Sequence, residues 1–420
     1  MVHRPDLETV APDVIRDRQL ARLNELLAAV LPRNAFYARK FGAPALPLSW
    51  EAFRALPFTT KAELVADQEA WPPFGAIATY PPECYVGYHQ TSGTTGRPLV
   101  VLDTAENWDW WAECWQYVYA AAGVTARDRI FFAFSFGPFI GFWSAHAGAR
   151  RIGAMVIPGG GLDSKARLEL LLRMQASVLV CTLTYALRLA EVAREEGLSI
   201  RDSAVRVTIH AGEPGASIPP VRARIEEAWG ARAFDHAGGT EIGAYGFACE
   251  LRDGLHVNEA EFIAAVLDPA TGEPCAEGSA GELVITNLGR AGWPVIRYRT
   301  GDVVTVGTRR CTCGRTFLTL PGGIAGRTDD LIILRGVNVY PSAVEAIVRT
   351  FPVEEFRLVR TRSGALDELT VEVETASEAI AAELARVLRE RLAVRIPTRA
   401  VPVGSLPRWE LKARRLVDAR

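Results

Sequence analysis

The sequence predicts an α/β fold in which a large, layered N-terminal domain precedes a small α+β C-terminal domain. Its 420 residues exceed what one compact core holds, so at least two domains are expected. Between residues 131 and 236, apolar strand-like runs alternate with helical periods, a pattern typical of parallel-sheet subdomains. After Gly281, strands and turns dominate. We therefore predict one domain over residues 1–326 and another over residues 327–420.

The segments that precede the alternating region are predicted to be helical. Apolar residues at helical spacing predict a helix over residues 13–30. Residues 50–67 predict two short helices around a break at Pro57, with Thr59 or Thr60 as the cap of the second helix. A set of aromatic residues also recurs at helical spacing, which favours core packing over a surface for stacking a cofactor: Trp108, Trp111, Trp115 and Tyr119.

The alternating region divides into predicted strands and helices by length and pattern. The strands cover residues 155–158, 178–181 and 205–210, and the helices cover residues 165–175, 184–196 and 219–229. Later strands are predicted over residues 282–286, 302–306 and 331–334. Residues 341–401 then have the pattern of helix, strand, strand, helix and strand, which gives the C-terminal domain its α+β character.

Composition and charge argue against several classes of protein. With 47 Lys and Arg against 49 Asp and Glu, the net charge of −2 gives no sign of a nucleic-acid partner. The seven cysteines are odd in number and scattered, which fits reduced thiols and a cytoplasmic location. Residues 1–20 carry charges throughout and lack the apolar core of a signal peptide.

One uncharged stretch, residues 130–149, is about as long as a membrane-spanning helix. Several glycines, Pro138 and His146 interrupt it, and soluble proteins supply such runs where strand and loop alternate. We therefore expect this stretch to form a buried wall of the protein and expect no membrane partner.

Residues 88–100, with the sequence YHQTSGTTGRPLV, contain the most informative motif of the chain. Hydroxyls and unhindered backbone N–H groups follow one another there, and glycine lets a backbone approach an anion closely. Arg97 and Pro98 stand where a Walker loop has lysine and serine or threonine, so this is another kind of phosphate loop. By itself the run fits a flexible surface turn equally well. Its residues are Thr91, Ser92, Gly93, Thr94, Thr95 and Gly96.

Together with five further motifs, this loop resembles the adenylate-forming superfamily of acyl-CoA synthetases, adenylation domains and luciferases, and above all its phenylacetate-CoA ligase group. The motifs are AFYARKFG from residue 35, LPFTTKAEL from residue 56, HAGEPGAS from residue 210, YRTGD from residue 298 and GRTDDLIILRGVNVYPSAVE from residue 326. They occur in the order of that group and cover nearly the whole chain. The resemblance implies that ATP activates a carboxylate as an acyl-AMP and that coenzyme A then receives the acyl group.

The resemblance also implies how the chain binds ATP. Residues 91–96 would hold the β- and γ-phosphates of the nucleotide. The turn at residues 212–214, which ends an apolar strand, would flank the adenine, in line with ligand binding beyond the carboxyl ends of parallel strands. Asp235 would accept from the adenine amino group, and Asp302, assisted by Arg327, would bind both ribose hydroxyls. The residues of the turn are Gly212, Glu213 and Pro214.

Three residues are implied in catalysis. The hydroxyl of Thr240 would contact the α-phosphate, and the carboxylate of Glu241 would bind Mg²⁺, an ion that usually takes one or two carboxylates from a protein. Lys412 would bridge the attacking carboxylate and the α-phosphate, where a mobile point charge offsets growing negative charge.

The resemblance further implies a mobile C-terminal domain with one pose for each half-reaction. Asp329 corresponds to its hinge, and Gly336 to a glycine beside the tunnel for the pantetheine arm of coenzyme A. Leu411 departs from the group, which usually has a glycine before the catalytic lysine. A stiffer loop at this point is expected to move more slowly.

The acyl group is expected to contact an uncharged wall rich in aromatic residues and glycines. Flat rings with glycines between them suit a planar substrate better than a long alkyl chain. We therefore predict an aromatic acid, namely phenylacetate, benzoate or an amino- or hydroxybenzoate. The predicted pocket residues are Phe134, Phe136, Gly137, Phe139, Ile140 and His236, the last as a wall residue or as a neutral hydrogen-bond donor.

Cys249, His256, Cys311 and Cys313 form a candidate zinc site. Zn²⁺ prefers four nitrogen or sulfur ligands at tetrahedral positions, and two cysteines one residue apart before a glycine can direct both sulfurs to one point. The spacing is weaker than the usual two residues, and core cysteines beside a surface histidine are the alternative. Similar sets in sequences that resemble the phenylacetate-CoA ligases favour structural zinc.

The predicted function is therefore an aryl-acid:CoA ligase that uses ATP, Mg²⁺ and coenzyme A. The motifs leave open an aryl-AMP ligase that loads the phosphopantetheine of a carrier protein. They support a non-catalytic nucleotide-binding protein less well. Members of the resembling group are commonly dimers, so we expect a homodimer.

Overall fold

The computed structural model describes residues 1–91, 97–138, 140–213, 215–335, 337–363, 366–409 and 413–420. It has parallel strands between helices in the large N-terminal part and a separate C-terminal domain, which confirms the predicted fold class. A hydrophobic cluster of its own begins at Ile332 and forms the core of the C-terminal part. The division between residues 326 and 327 remains our proposal for the domain boundary.

The helices mostly cover the sheets. They are α1 (Pro5–Glu8), α2 (Pro12–Val30), α3 (Ala35–Phe41), α4 (Trp50–Ala55), α5 (Lys61–Ala70), α6 (Ala105–Ala122), α7 (Trp143–Arg151), α8 (Ser164–Arg173), α9 (Leu183–Glu195), α10 (Pro219–Trp229), α11 (Pro341–Val348) and α12 (Glu378–Leu392).

The strands of the N-terminal part are β1 (Tyr85–Gln90), β2 (Val100–Thr104), β3 (Arg129–Phe132), β4 (Met155–Pro158), β5 (Val178–Cys181), β6 (Val207–His210), β7 (Arg232–Gly239), β8 (Gly243–Phe247), β9 (Gly254–Val257), β10 (Phe262–Leu267), β11 (Ala280–Asn287), β12 (Tyr298–Thr305), β13 (Thr319–Pro321) and β14 (Ile324–Arg327). Those that follow are β15 (Ile332–Leu334), β16 (Val337–Val339), β17 (Phe356–Ser363), β18 (Leu366–Glu374), β19 (Thr398–Val401) and β20 (Leu416–Asp418).

The largest sheet has eight strands in the order β13-β9-β8-β7-β6-β5-β3-β4. Five neighbouring strands of this sheet run parallel to one another, as the alternating pattern of the sequence predicts: β7, β6, β5, β3 and β4. Strands β8, β9 and β13 extend the sheet in antiparallel fashion. Every residue of β5 and β6 is buried, because helices cover both faces of a parallel sheet.

Polar caps fix where several helices begin. Asp163 and Thr182 accept from backbone N–H groups at the starts of α8 and α9, so both helices begin one residue before the predicted position. Thr60, not Thr59, caps α5, and its hydroxyl forms a capping box with Glu63. The hydroxyl of Thr59 instead donates to the carbonyl of Ile296 at 2.8 Å. The predicted break at Pro57 lies between α4 and α5.

Two four-stranded sheets add to the framework around the site. Strands β10, β11, β12 and β14 form an antiparallel sheet that carries the YRTGD motif on β12. In the C-terminal domain, the order β19-β18-β17-β20 combines one antiparallel pair with two parallel pairs. The predicted succession of helix, strand, strand, helix and strand is confirmed by α11, β17, β18, α12 and β19.

The uncharged stretch at residues 130–149 consists of most of β3, a loop and most of α7. Of the helices in the described part of the chain, none combines the length and the apolar character that a membrane crossing requires. Helix α6 carries the aromatic residues predicted to recur at helical spacing, and Trp111 and Trp115 on it are almost completely buried.

Candidate active site

A cleft of about 370 Å³ opens at the carboxyl ends of the parallel strands. Loops that follow such strands converge at this edge, which is where open α/β sheets bind their ligands. Residues that are far apart in the sequence meet here. The described residues that line the cleft and that the sequence predicted for the site are Thr91, Phe134, Ile140, Gly212, Glu213, Asp235, His236, Thr240, Glu241, Asp302 and Arg327.

Two predicted pocket residues contact other parts of the chain. The ring of Phe136 packs against the ring of Trp143, with centroids 4.5 Å apart. The carbonyl of Gly137 accepts a hydrogen bond of 3.1 Å from the Trp143 indole. The described lining of the cleft includes neither Phe136 nor Gly137. They support the loop between β3 and α7, which carries Phe134.

One side of the cleft is aromatic. The ring of Phe134 meets that of Phe142 edge to face, with centroids 5.2 Å apart. Gly141 has a φ of +40°, and a Cβ atom there would lie 2.0 Å from the Phe134 ring. Only glycine therefore leaves this ring in its position. Trp115 from α6 lines the same side.

His236 on β7 packs against Trp115, with ring centroids 4.3 Å apart. Its Nδ1 lies 2.7 Å from the carbonyl oxygen of Gly246, which can only accept, so Nδ1 carries the proton. Burial lowers the pKa of His236 to about 4, and the ring is neutral at pH 7. The N–H group of the neutral His236 ring thus donates to Gly246 within the protein, and Nε2, the other ring nitrogen, is an acceptor.

The turn between β7 and β8 carries Thr240 and Glu241. The hydroxyl of Tyr298 donates to Oε1 of Glu241 at 2.8 Å, although the two residues are 57 positions apart. This hydrogen bond fixes the direction of a carboxylate that lines the cleft. A carboxylate is the hard oxygen ligand that Mg²⁺ prefers, so Glu241 fits the predicted metal role.

A buried ion pair supports the same turn. The guanidinium of Arg290 pairs with the carboxylate of Asp103 through two hydrogen bonds of 2.8 Å, and both side chains are 0% exposed. The third nitrogen of Arg290 donates to the carbonyl of Thr240 at 2.8 Å. The guanidinium also lies 5.2 Å from the ring centroid of Trp111. The position of Thr240 therefore depends on a charge pair inside the core.

Asp302 on β12 lies opposite Arg327 on β14 in the antiparallel pairing of these strands. Arg327 donates to Oδ1 of Asp302 at 3.3 Å, and the hydroxyl of Tyr245 donates to Oδ2 at 3.1 Å. Arg327 also donates to Asp329 at 2.9 Å. The proposed ribose carboxylate and the proposed hinge residue thus share one guanidinium.

Asp235 is held at the wall of the cleft by Ser217, whose backbone N–H and hydroxyl donate to Oδ2 at 3.1 and 2.6 Å. Burial raises the pKa of Asp235 to about 6. The turn that follows β6 begins with Ala211 and Gly212, and the latter has a φ of +93° that favours glycine. The carboxylate of Glu213, next in this turn, accepts hydrogen bonds from Thr184.

Several predicted residues lie outside the described residues: Ser92, Gly93, Thr94, Thr95, Gly96, Phe139, Pro214, Gly336 and Lys412. The flanks of the phosphate loop are described. Thr91 and Leu99 exchange two hydrogen bonds of 3.0 Å, and Thr91 lines the cleft. The two ends of the predicted phosphate loop are therefore held together beside the site.

The sequence did not predict all the residues that build the cleft. Tyr245, Tyr298 and the pair Asp103–Arg290 hold the predicted residues in position, and Lys61 adds a cation to the lining. Tyr298 lies within the YRTGD motif, which was a usable signal. The other residues give no local signal, because their partners come from distant elements.

The four predicted zinc ligands come together. Their ligand atoms all lie within 4.8 Å of one another, with Cys249 Sγ 3.9 Å from Cys311 Sγ and Cys313 Sγ 3.6 Å from His256 Nε2. Two sulfurs on one tetrahedral zinc ion lie about 3.8 Å apart, and a sulfur and a nitrogen about 3.6 Å apart. These distances fit one four-coordinate ion.

Strand pairing explains how these ligands meet. The antiparallel pair β8–β9 brings Cys249, which follows β8, close to His256 on β9. Strand β13 pairs with β9 at His256, and the loop before β13 carries Cys311 and Cys313. Hydrogen bonding with the Cys249 thiol, together with contacts from His256 and Arg315, lowers the pKa of the Cys313 thiol. The thiolate is the form that binds a metal.

Comparisons of the chain with protein families give two matches. The family described as "AMP-binding enzyme" matches residues 58–290, and the family described as "AMP-binding enzyme C-terminal domain" matches residues 336–420. The phenylacetate-coenzyme A ligase of Thermus thermophilus is 33% identical to the chain over 100% of both proteins.

Solved structures of 2-hydroxyisobutyryl-CoA ligase are also similar to the chain. Its postadenylation state, in complex with 2-HIB-AMP, has a TM-score of 0.93 at 32% identity and covers 98% of this chain and 91% of that one. Its thioesterification state, in complex with 2-HIB-AMP and CoA, has a TM-score of 0.75 at 33% identity with the same coverage. The arrangement of the chain therefore agrees more closely with the postadenylation state.

Proposed function

The chain belongs to the family of AMP-binding enzymes and, within it, to the group of the phenylacetate-coenzyme A ligases, and from this premise we propose that it is an ATP-dependent ligase that joins an aromatic acid to coenzyme A. One observation carries the proposal. Glu241, Asp302 and Arg327, which the motifs assign to ATP, border the same cleft as an aromatic wall that can receive the acid.

In the first half-reaction, a carboxylate oxygen of the acid attacks the α-phosphorus of ATP, and pyrophosphate leaves. Catalysis then consists mainly of positioning and charge neutralisation. Asp302 and Arg327 would hold the ribose, and Asp235 would accept from the adenine. Mg²⁺ held by Glu241 would neutralise phosphate charge, while the Tyr298 hydrogen bond keeps that carboxylate in place.

In the second half-reaction, the thiolate of coenzyme A attacks the carbonyl carbon of the acyl-AMP, and AMP leaves. This step needs an opening for the pantetheine arm, for which we propose the segment beside Gly336. The difference between the two states of 2-hydroxyisobutyryl-CoA ligase supports a rotation of the C-terminal domain about Asp329 between the steps.

The substrate class rests on the wall of the cleft. Trp111, Trp115, Phe134 and Phe142 present rings to the cavity, and flat aromatic walls favour planar substrates. The name of the Thermus thermophilus relative agrees with an arylacetic acid. The structurally similar 2-hydroxyisobutyryl-CoA ligase is named after a short hydroxy acid, so the test should include both aromatic acids and short hydroxy acids.

An exchange assay tests the proposed function. We expect ³²P to pass from pyrophosphate into ATP only when an aromatic acid is present, and most rapidly with phenylacetate, benzoate or an amino- or hydroxybenzoate. The panel should also contain 2-hydroxyisobutyrate and long-chain fatty acids. Turnover should then be compared with free coenzyme A and with carrier proteins as acceptors. Exchange with aliphatic acids alone would refute the aromatic assignment.

We further propose that the cluster of Cys249, His256, Cys311 and Cys313 holds a structural zinc ion. The protein purified in metal-free buffer is expected to contain one zinc ion per chain by inductively coupled plasma mass spectrometry. Cys313→Ser should lose the ion and about 3 kcal/mol or more of unfolding free energy, because the binding free energy of a structural zinc ion contributes to folding. Cys84→Ser, at an exposed cysteine outside the cluster, is the matched control. A wild-type protein that contains no zinc, and whose unfolding free energy equals that of Cys313→Ser, would contradict this proposal.

A further inference from the structure

The loop that follows Lys412 contacts the turn after β6. The backbone N–H of Ala413 donates to Oε2 of Glu213 at 3.3 Å. The same carboxylate accepts from the backbone N–H and the hydroxyl of Thr184, at 2.6 and 2.9 Å. One side chain of the N-terminal domain therefore holds both the first turn of α9 and a loop of the C-terminal domain.

Arg415 extends this contact. Its side chain is 8% exposed, and its guanidinium pairs with Glu355 through hydrogen bonds of 2.7 and 3.1 Å. It also donates to Glu345 at 3.1 Å and, across the domain interface, to the hydroxyl of Thr184 at 3.3 Å. Thr184 thus contacts Glu213 and Arg415 at once. Residues 413–415 therefore contact the N-terminal domain at two points, through the backbone of Ala413 and through the side chain of Arg415.

These contacts join two domains, so they depend on how the domains are arranged. The arrangement is the one that agrees more closely with the postadenylation state of the related ligase than with its thioesterification state. A rotation of the C-terminal domain would separate Ala413 from Glu213, because Glu213 follows β6 of the eight-stranded sheet whereas Ala413 precedes β20 of the C-terminal sheet. The contact is therefore suited to one half-reaction.

We propose that Glu213 is a positioning residue for adenylation: by accepting the N–H of Ala413, it fixes the residue that directly follows the proposed catalytic Lys412 while the acyl-AMP forms. The inference rests on the proposed function. It extends the predicted role of the turn, since the carboxylate of Glu213 is engaged with protein groups and acts through the neighbouring residue. Thioester formation, in the other domain arrangement, does not use it.

Glu213→Gln tests this inference, because the change keeps the shape of the side chain and removes its charge. The kcat of ATP–pyrophosphate exchange should fall by about 10- to 100-fold, the loss that follows a small misplacement of a reacting group. The KM for ATP and the rate of thioester formation from supplied aryl-AMP and coenzyme A should stay at the wild-type values. Thermal denaturation checks that the variant is folded.

Glu354→Gln is the matched control. Glu354 contacts Arg194 across the same interface at 3.4 Å, but this pair is exposed and involves neither Glu213 nor Ala413. All rates of this variant should equal those of the wild type. If Glu213→Gln does not fold, Glu213→Asp retains the charge but withdraws it from Ala413, and the same selective loss is expected.

Three results would overturn the inference. An equal loss in both half-reactions would make Glu213 a structural cap of α9, and a higher KM for ATP at unchanged kcat would make it a nucleotide contact. An unchanged rate of ATP–pyrophosphate exchange in a folded Glu213→Gln variant would show that Glu213 has no role in adenylation. Absence of exchange in the wild-type protein would instead contradict the proposed function, so the two failures are distinguishable.

Discussion

Replacement of Lys412 by alanine is expected to lower the rate of ATP–pyrophosphate exchange by about 10²- to 10³-fold, the usual effect of removing a group that stabilises developing charge. Thioester formation from supplied aryl-AMP should be spared, because the proposed role of the lysine is to neutralise charge on the α-phosphate only while pyrophosphate leaves. The two half-reactions should be measured separately, by isotope exchange and by thioester absorbance.

Two other lysines serve as controls for this prediction. Lys165 is half exposed and paired with Glu196, and neither residue is among those that line the cleft, so Lys165→Ala should have no effect on either half-reaction. Lys61 lines the cleft and is the alternative source of a cation. Loss of exchange in Lys61→Ala together with full exchange in Lys412→Ala would transfer the role to Lys61. Equal loss of both half-reactions in Lys412→Ala would refute the division of labour.

Asp103→Asn is expected to destabilise the protein by about 3–5 kcal/mol, because it leaves the buried guanidinium of Arg290 without a counter-charge. Activity should fall as well, since Arg290 also holds the carbonyl of Thr240 beside the cleft. Chemical denaturation measures the free energy of unfolding, and exchange under stabilising conditions measures the activity of the folded fraction.

An exposed ion pair provides the comparison. Asp6 pairs with Arg4 near the N-terminus, where both side chains are largely in solvent, so Asp6→Asn should leave the free energy of unfolding close to that of the wild type. The double variant Asp103→Leu with Arg290→Met removes both charges and should recover much of the lost stability. It should not recover activity, because Arg290, which donates to the carbonyl of Thr240, is then absent. A free energy of unfolding for Asp103→Asn within about 1 kcal/mol of wild type would contradict this account.

The sequence predicted the elements whose signals are local. Strands β4 and β5 have the bounds predicted from hydrophobic runs between turns, residues 155–158 and 178–181, and the starts of helices follow capping residues such as Thr60 and Thr182. It could not predict that β8, β9 and β13 extend the parallel sheet in the opposite direction. That extension depends on pairings between segments far apart in the chain, which leave no periodic pattern.

The same distinction between local signals and distant contacts applies to the candidate site. Motifs identified Glu241, Asp302 and Arg327, which the structure brings to one cleft. The hydrogen bonds that orient Glu241 and Thr240 could not be predicted, because Tyr298 and Arg290 donate them across 57 and 50 residues, although the YRTGD motif marks Tyr298 itself. The aromatic wall was predicted as one continuous segment, yet Phe136 packs on Trp143 while Trp111 and Trp115 of α6 complete the lining.

The proposed reaction begins with attack by a carboxylate oxygen of the acid on the α-phosphorus of ATP. An acid labelled with ¹⁸O in both carboxylate positions tests this step directly, with mass spectrometry of the products after complete conversion by the wild-type protein and coenzyme A. We predict that each AMP molecule carries one ¹⁸O atom and that pyrophosphate carries none. Label in inorganic phosphate, with unlabelled adenine nucleotide, would contradict the account.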